Sequence, residues 1–451
     1  MARIGRARVP ASGGTVLLGL VITGLYAGTP ARLDAQTNPA QPARAYAITN
    51  AAIVPVVGQP IPRGTVVIRD GRIAALGANV AVPADATVID ASGLSVYPGM
   101  IDSGTLLGIT EIGSVPGGED RTELGDFNPE NVTLTAVNPH SELIPTVRVN
   151  GVTTVLTAMS GSQVSGQAAL MDLLGWTPDE MAVVPRAGMV MTYPRLGGGG
   201  FGGFGGFGQQ PSISEQRQRV ERETRALRQF LADAKAYEET SARLAAGGRG
   251  RLEANLALEA MIPVMRGEMP AVFDVETAEQ IRGVLQLADS FGLRVVLRGA
   301  SEAWRLADTL SARRIPVIVG PVTQTPGPNE PYDMIYANPG VLARAGVLIA
   351  FRTNSASDSR NLPYNAALAS AYGLDADEAL RAVTINPARI WGVSDRLGSI
   401  EVGKVANLIV TSGNPLDVRS VVRHLFIRGQ PVPFDDRHTR LYERFRARPQ
   451  Q

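Results

Sequence analysis

The chain has 451 residues, 44% hydrophobic and 19% charged, which suffices for one large barrel and a small accessory domain. Its formal net charge of +1 excludes a strong electrostatic pull toward nucleic acid or an anionic membrane. It contains no cysteine, so disulfides and a lipid-modified cysteine are excluded too.

Arg3, Arg6 and Arg8 precede an apolar stretch, Thr15 to Ala27, too short and glycine-broken to span a bilayer, with small residues at Ala31 and Ala35. Residues 1–35 therefore read as a signal peptide and residues 36–45, rich in Gln, Pro and Ala, as a leader. The expected location is periplasmic or secreted, with no membrane segment after cleavage. Residues 46–96 are strand-like. Asp70-Gly71 lies there between two β-branched runs, a hairpin signal because a type I′ turn needs positive φ at both central positions.

Between residues 97 and 392 strand-like and helical runs alternate, which argues for a parallel (β/α) barrel. Seven strands are predicted: Tyr97–Asp102, Thr153–Thr157, Ala187–Met191, Ala271–Val275, Arg294–Arg298, Pro316–Gly320 and Leu348–Thr353. An eighth is expected between Met191 and Ala271. That interval holds a Gly/Phe-rich stretch, residues 197–208, read as a mobile loop or as a lid carrying Phe201, Phe204 and Phe207. Residues 212–246 follow as a charged, solvated helix. Residues 393–434 return to strands and tight turns, and 435–451 form an arginine-rich tail or surface helix.

Pro98-Gly99-Met100-Ile101-Asp102 resembles the first barrel strand of the amidohydrolase superfamily. The Gly151–Val155 strand, the helix Ala379–Gly392 with its Asn386-Pro387-Ala388, and the strand Gly398–Val410 resemble the same superfamily, most closely its imidazolonepropionase-like branch. The resemblance implies a TIM-like (β/α) barrel flanked by a β-sandwich that the N- and C-terminal strands build together, as residues 46–96 and 393–434.

An active relative needs an H-x-H pair after the Asp102 position, two further histidines and a catalytic aspartate, because neutral imidazoles hold a zinc whose bound water ionises near neutrality. Here the pair is Gly104 and Leu106, the further histidines align with Asp274 and Gly299, and the aspartate aligns with Asn354, whose amide cannot act as a base. The chain has three histidines, His140, His424 and His438, too few and too far from the barrel ends to supply the set. The resemblance therefore implies a degenerate member with no metal.

Three readings of the remaining charges stay open. Asp102, Asp274 and Glu276 make an all-oxygen site for a divalent metal. Alternatively Arg298 and Arg352 pair with Asp274 or Glu276 and neutralise them where a metal would sit. Or the charges stand apart, in solvent. Ser162 and Ser165, after the second strand, have no histidine partner and read as a simple turn or as a loop contact to ligand.

The expected function is that of an exported binding protein for a small amide-like or cyclic ligand, or a partner of an active amidohydrolase or of a second copy. The alternative is a hydrolase of non-peptide C–N bonds with a non-standard metal site.

Overall fold

The computed structural model describes residues 45–113, 115–196, 212–326 and 331–447. The expected signal peptide, all of the leader but its last residue, and the Gly/Phe-rich loop 197–208 lie outside the described residues. Two eight-stranded sheets organise the rest.

The first sheet opens with β1 (Ala45–Ile53), β2 (Ile61–Arg69), β3 (Arg72–Gly77), β4 (Ala86–Asp90) and β5 (Ser95–Pro98). β2 and β3 join through Asp70 at φ 51° and Gly71 at φ 77°, the tight turn the sequence calls for. The predicted strand Tyr97–Asp102 is in fact divided at Gly99. Before it the chain belongs to the first sheet; after it β6 (Met100–Thr105) opens the barrel. Only glycine fits this crossing, because a Cβ there would lie 2.3 Å from the Thr153 side chain.

The barrel sheet continues in sequence order through β7 (Val152–Thr157), β8 (Val164–Asp172), β9 (Ala182–Thr192), β10 (Ala271–Val275), β11 (Val295–Gly299), β12 (Val317–Val319) and β13 (Ile349–Phe351). All neighbours are parallel except β8, which runs antiparallel to both β7 and β9. The eighth strand is therefore Val164–Asp172 and not a segment between Met191 and Ala271. Ser165, Gly166 and Gln167 disguise it as a turn, and Gly166 is required because a Cβ would meet the Asn131 carbonyl at 2.6 Å. The ladder closes where the Asn354 N–H donates to the Gly104 carbonyl at 2.8 Å.

Side chains alternate across these strands. Ile101, Leu170, Val190, Val272, Val296, Ile318 and Ala350 meet inside the barrel in one buried cluster. Phe273, Leu297, Val319, Ile349 and Phe351 belong to the larger cluster shared with the helices. Each fully buried side chain of this kind contributes roughly 1.5–3 kcal/mol. The alternation also carries Asp274, Arg298 and Arg352, each two residues past an inward-facing apolar one, to the carboxyl end of the barrel interior.

Helix Ile213–Ala245 starts on a capping box between Ser212 and Glu215. It is not solvated on all sides as expected. Leu227, Leu231, Ala234 and Tyr237 recur at helical spacing and are buried, and Phe230 stacks on Phe127 with centroids 4.6 Å apart.

The chain returns to the first sheet with β14 (Leu408–Thr411), β15 (Val422–Ile427) and β16 (Gln430–Pro431). β14 pairs antiparallel with β5, so the two ends of the chain build one sheet, as the resemblance implies. Ile48, Ile53, Val66, Val96, Leu408 and Phe426 share its buried cluster. Asn407 ties this sheet to the barrel. Its Nδ2 donates to the buried Asp172 Oδ1 at 2.8 Å, and the Thr154 hydroxyl donates to the same oxygen at 2.9 Å. The last helix, Arg437–Arg446, buries no residue. Among the described residues no helix is long and apolar enough to cross a membrane.

Candidate functional site

Asp274 and Arg298 face each other in register on β10 and β11. The carboxylate accepts from Arg298 through Nε at 2.7 Å and Nη2 at 2.5 Å, a bidentate fork. Arg352, just past β13, adds Nη1 to Asp274 Oδ1 at 2.7 Å and donates Nε to the Gly320 carbonyl at 2.9 Å. Its Nη2 lies 3.9 Å from Glu276 Oε1. Both arginines are almost fully buried, at 4% and 5% exposure. Burial pushes the Asp274 carboxyl up, but the two guanidiniums outweigh it and hold the group down at about 2. Burial raises Glu276 against the pull of Arg352. Two cations thus face two carboxylates, and the cluster is close to neutral.

Two glycines make room for it. A Cβ on Gly104 would lie 3.1 Å from both Cβ and Cδ of Arg352. A Cβ on Gly299, which sits at φ +90°, would lie 2.7 Å from Glu276 Oε1 and 2.9 Å from Arg352 Nη2. Two of the four positions where the sequence resemblance expects histidine are therefore backbone-only, and Arg352 lies against both. Leu106, the other half of the expected pair, packs partly buried against the outer apolar cluster.

Asp102 belongs to a separate network. It is fully buried and accepts from the Gly104 N–H at 3.0 Å, the Thr353 N–H at 3.2 Å and the Thr353 hydroxyl at 2.5 Å. The Ser359 hydroxyl extends this network by donating to Thr105 Oγ1 at 2.9 Å. Burial raises the Asp102 carboxyl to about 7, more than its hydrogen bonds lower it. Asp102 therefore pins the seam between β6 and β13 and shares no hydrogen bond with Asp274 or Glu276, although the Arg352 charge reaches it. Among the described residues no group of three or more His, Asp or Glu side chains is arranged to hold a metal ion. The residues present do not fit the family's metal: of its four histidine positions Gly104, Leu106 and Gly299 carry no side-chain donor, and the fourth, Asp274, is held by two guanidiniums.

Asn354 shares the parity of Arg352 in sequence but not its direction. At φ 53° it turns to the exposed surface. His140 is exposed, edge-on to Trp176 at 6.1 Å between centroids. His424 lies on β15, where burial lowers it, and His438 is 3.4 Å from Arg360. The Ser165 hydroxyl donates to the Ser162 carbonyl at 3.2 Å, a turn contact. Sequence reasoning missed Thr353 and Gly320. Neither carries a charge or a motif, and only the fold places one hydroxyl on Asp102 and one carbonyl on Arg352.

A model of the amidohydrolase family matches residues 333–432. A 5-methylthioadenosine/S-adenosylhomocysteine deaminase of Teredinibacter turnerae is 35% identical over 91 residues, 18% of this chain and 21% of that protein. An N-substituted formamide deformylase of Arthrobacter pascens is 57% identical over 42 residues, 9% and 8% of the two chains. The matches thus span about a fifth or less of these curated relatives' lengths. Among solved structures, an amidohydrolase of Thermotoga maritima MSB8 superposes with a TM-score of 0.76 at 28% identity, covering 86% of this chain and 99% of that one.

Proposed function

The chain belongs to the amidohydrolase superfamily, and we propose that it is a metal-free, non-catalytic member that binds a small amide-like or cyclic ligand at the barrel mouth. The observation that carries this reading is Arg352 packed into the space that side chains at Gly104 and Gly299 would need, with its charge spent on Asp274. Asp274 offers no free base or nucleophile, since both its oxygens accept from arginine. An amide carries one acceptor and one donor on a planar frame. Planar guanidinium donors beside the half-buried Glu276 carboxylate complement that pattern.

The basic, apolar and small-residue order of the first 35 residues supports export to the periplasm or beyond. Partnership with an active amidohydrolase, or with a second copy, is the form this function takes if no small ligand binds. The names of the two curated relatives, a deaminase and a deformylase, favour a competing reading as a hydrolase of non-peptide C–N bonds. Elemental mass spectrometry of the purified mature chain, prepared without chelator or added metal, separates the two. The proposal expects no stoichiometric metal and no turnover of an amide and lactam panel. About one metal per chain together with turnover sinks it.

A further inference from the structure

At the opposite end of the barrel from the charge cluster, a cleft of about 530 Å³ opens under the strands β10 to β13. It is lined by the residues that enter those strands, with an apolar floor that includes Leu293, Ile315 and Ile390. Four arginines reach it, Arg294, Arg313, Arg314 and Arg389, against one carboxylate, Asp289. Arg313 is committed to Asp289 by two hydrogen bonds of 2.9 and 3.1 Å. Among the described residues no ion pair engages Arg294, Arg314 or Arg389, although Arg294 donates from Nη2 to the Glu268 carbonyl at 2.9 Å.

Arg314 carries a second signal. Four helix-to-strand turns in this half of the barrel place a left-handed residue at or next to the helix C-cap. Three use glycine: Gly267 at φ +72°, Gly292 at φ +68° and Gly346 at φ +84°. The fourth, before β12, uses Arg314 at φ 54°. A long side chain is disfavoured in that conformation, and glycine is the residue that relieves it. Arg314 lines the cleft together with Gly292, but only Arg314 brings a side chain to it, and backbone strain of this kind concentrates where a side chain is used.

We propose that this cleft binds a small organic anion with a multiply charged oxyanion head, held by the forked donors of Arg314, Arg389 and Arg294, and an apolar body on the floor. The cleft's volume suits a small-molecule ligand, and arginine forks match phosphate and carboxylate geometry alike.

The test is calorimetric titration of the full-length chain with inorganic pyrophosphate and, separately, with citrate, at an ionic strength held constant with sodium chloride. The expected result is saturable single-site binding of at least one of them, weakened tenfold or more by Arg314→Gly and by Arg389→Gln. Binding of pyrophosphate alone assigns the head to phosphate, and binding of citrate alone assigns it to carboxylate. Arg314→Gly should leave the unliganded chain at least as heat-stable as before, because it removes the strain. Absence of saturable binding for both probes overturns the proposal. So does binding that survives both substitutions unchanged.

Discussion

Replacing Arg352 by methionine removes one partner from a buried, crosslinked charge cluster while keeping much of the apolar stem. Asp274 then keeps only the Arg298 fork. Glu276 loses its nearer cation and keeps only the weaker pull of Arg195, and the Gly320 carbonyl loses its donor. A hydrogen bond to a charged group is worth about 1.5–3 kcal/mol, and an orphaned buried acceptor costs about 1–3 kcal/mol more. Against this stands the desolvation of a guanidinium, which the substitution no longer requires. The net expectation is a destabilisation of about 3 kcal/mol. Urea unfolding, followed in parallel by tryptophan fluorescence and far-UV circular dichroism, measures it as a lower midpoint at unchanged slope. Replacing Asp274, Arg298 and Arg352 together by apolar residues should cost less than Arg352→Met alone, because no charge is then left without a partner. A single substitution that moves the midpoint by the equivalent of less than about 1 kcal/mol would refute the cluster as a coupled unit.

Gly299→Ala should destabilise by about 2–4 kcal/mol, from left-handed backbone and from the 2.7–2.9 Å contacts to Glu276, the Val275 carbonyl and Arg352. Gly104→Ala crowds only the Arg352 stem, at 3.1 Å, and reaches Arg298 Cδ at an ordinary 3.5 Å, so its smaller cost should shrink in an Arg352→Ala background, a coupling that a double-mutant cycle reads directly. Asp102 holds its proton up to about pH 7 in the folded chain but releases it near 3.8 when unfolded. The folded state binds more protons between those values, so stability should fall across that window as pH rises, by at most about 4 kcal/mol. Asp102→Asn should flatten this slope, and a slope that persists assigns it elsewhere. Asp274 behaves oppositely. Held at about 2, it contributes stability above pH 4 that is lost as pH falls toward 2, by about 2 kcal/mol.

Much of the scaffold was legible because alternation and turn chemistry are local. The Asp70-Gly71 hairpin and most of the barrel strands follow from periodicity. The pairing of β5 with β14 followed from the resemblance alone. The pairing of Asp274 with Arg298 and Arg352 was one of three open readings. Strand parity put the three side chains on one face, but no local rule decides whether opposite charges meet or stay solvated. Parity failed where the backbone leaves the strand. Asn354 turns outward at positive φ, and Asp102 was grouped with the other acids because the register shifts along β6 are invisible in sequence. Strand β8 was missed because its small and polar residues are chosen by close packing against the loop around Asn131 and not by β-propensity.

The pairing of Pro98 with Leu408 sets a timetable for synthesis. Strand β5 leaves the ribosome with its partner some 310 codons away. At about 5–20 residues per second that is an interval of roughly 15–60 s. During it, β1 to β5 have an unmatched edge and the barrel lacks its tie through Asn407. The first sheet therefore cannot complete its pairing until β14 has emerged.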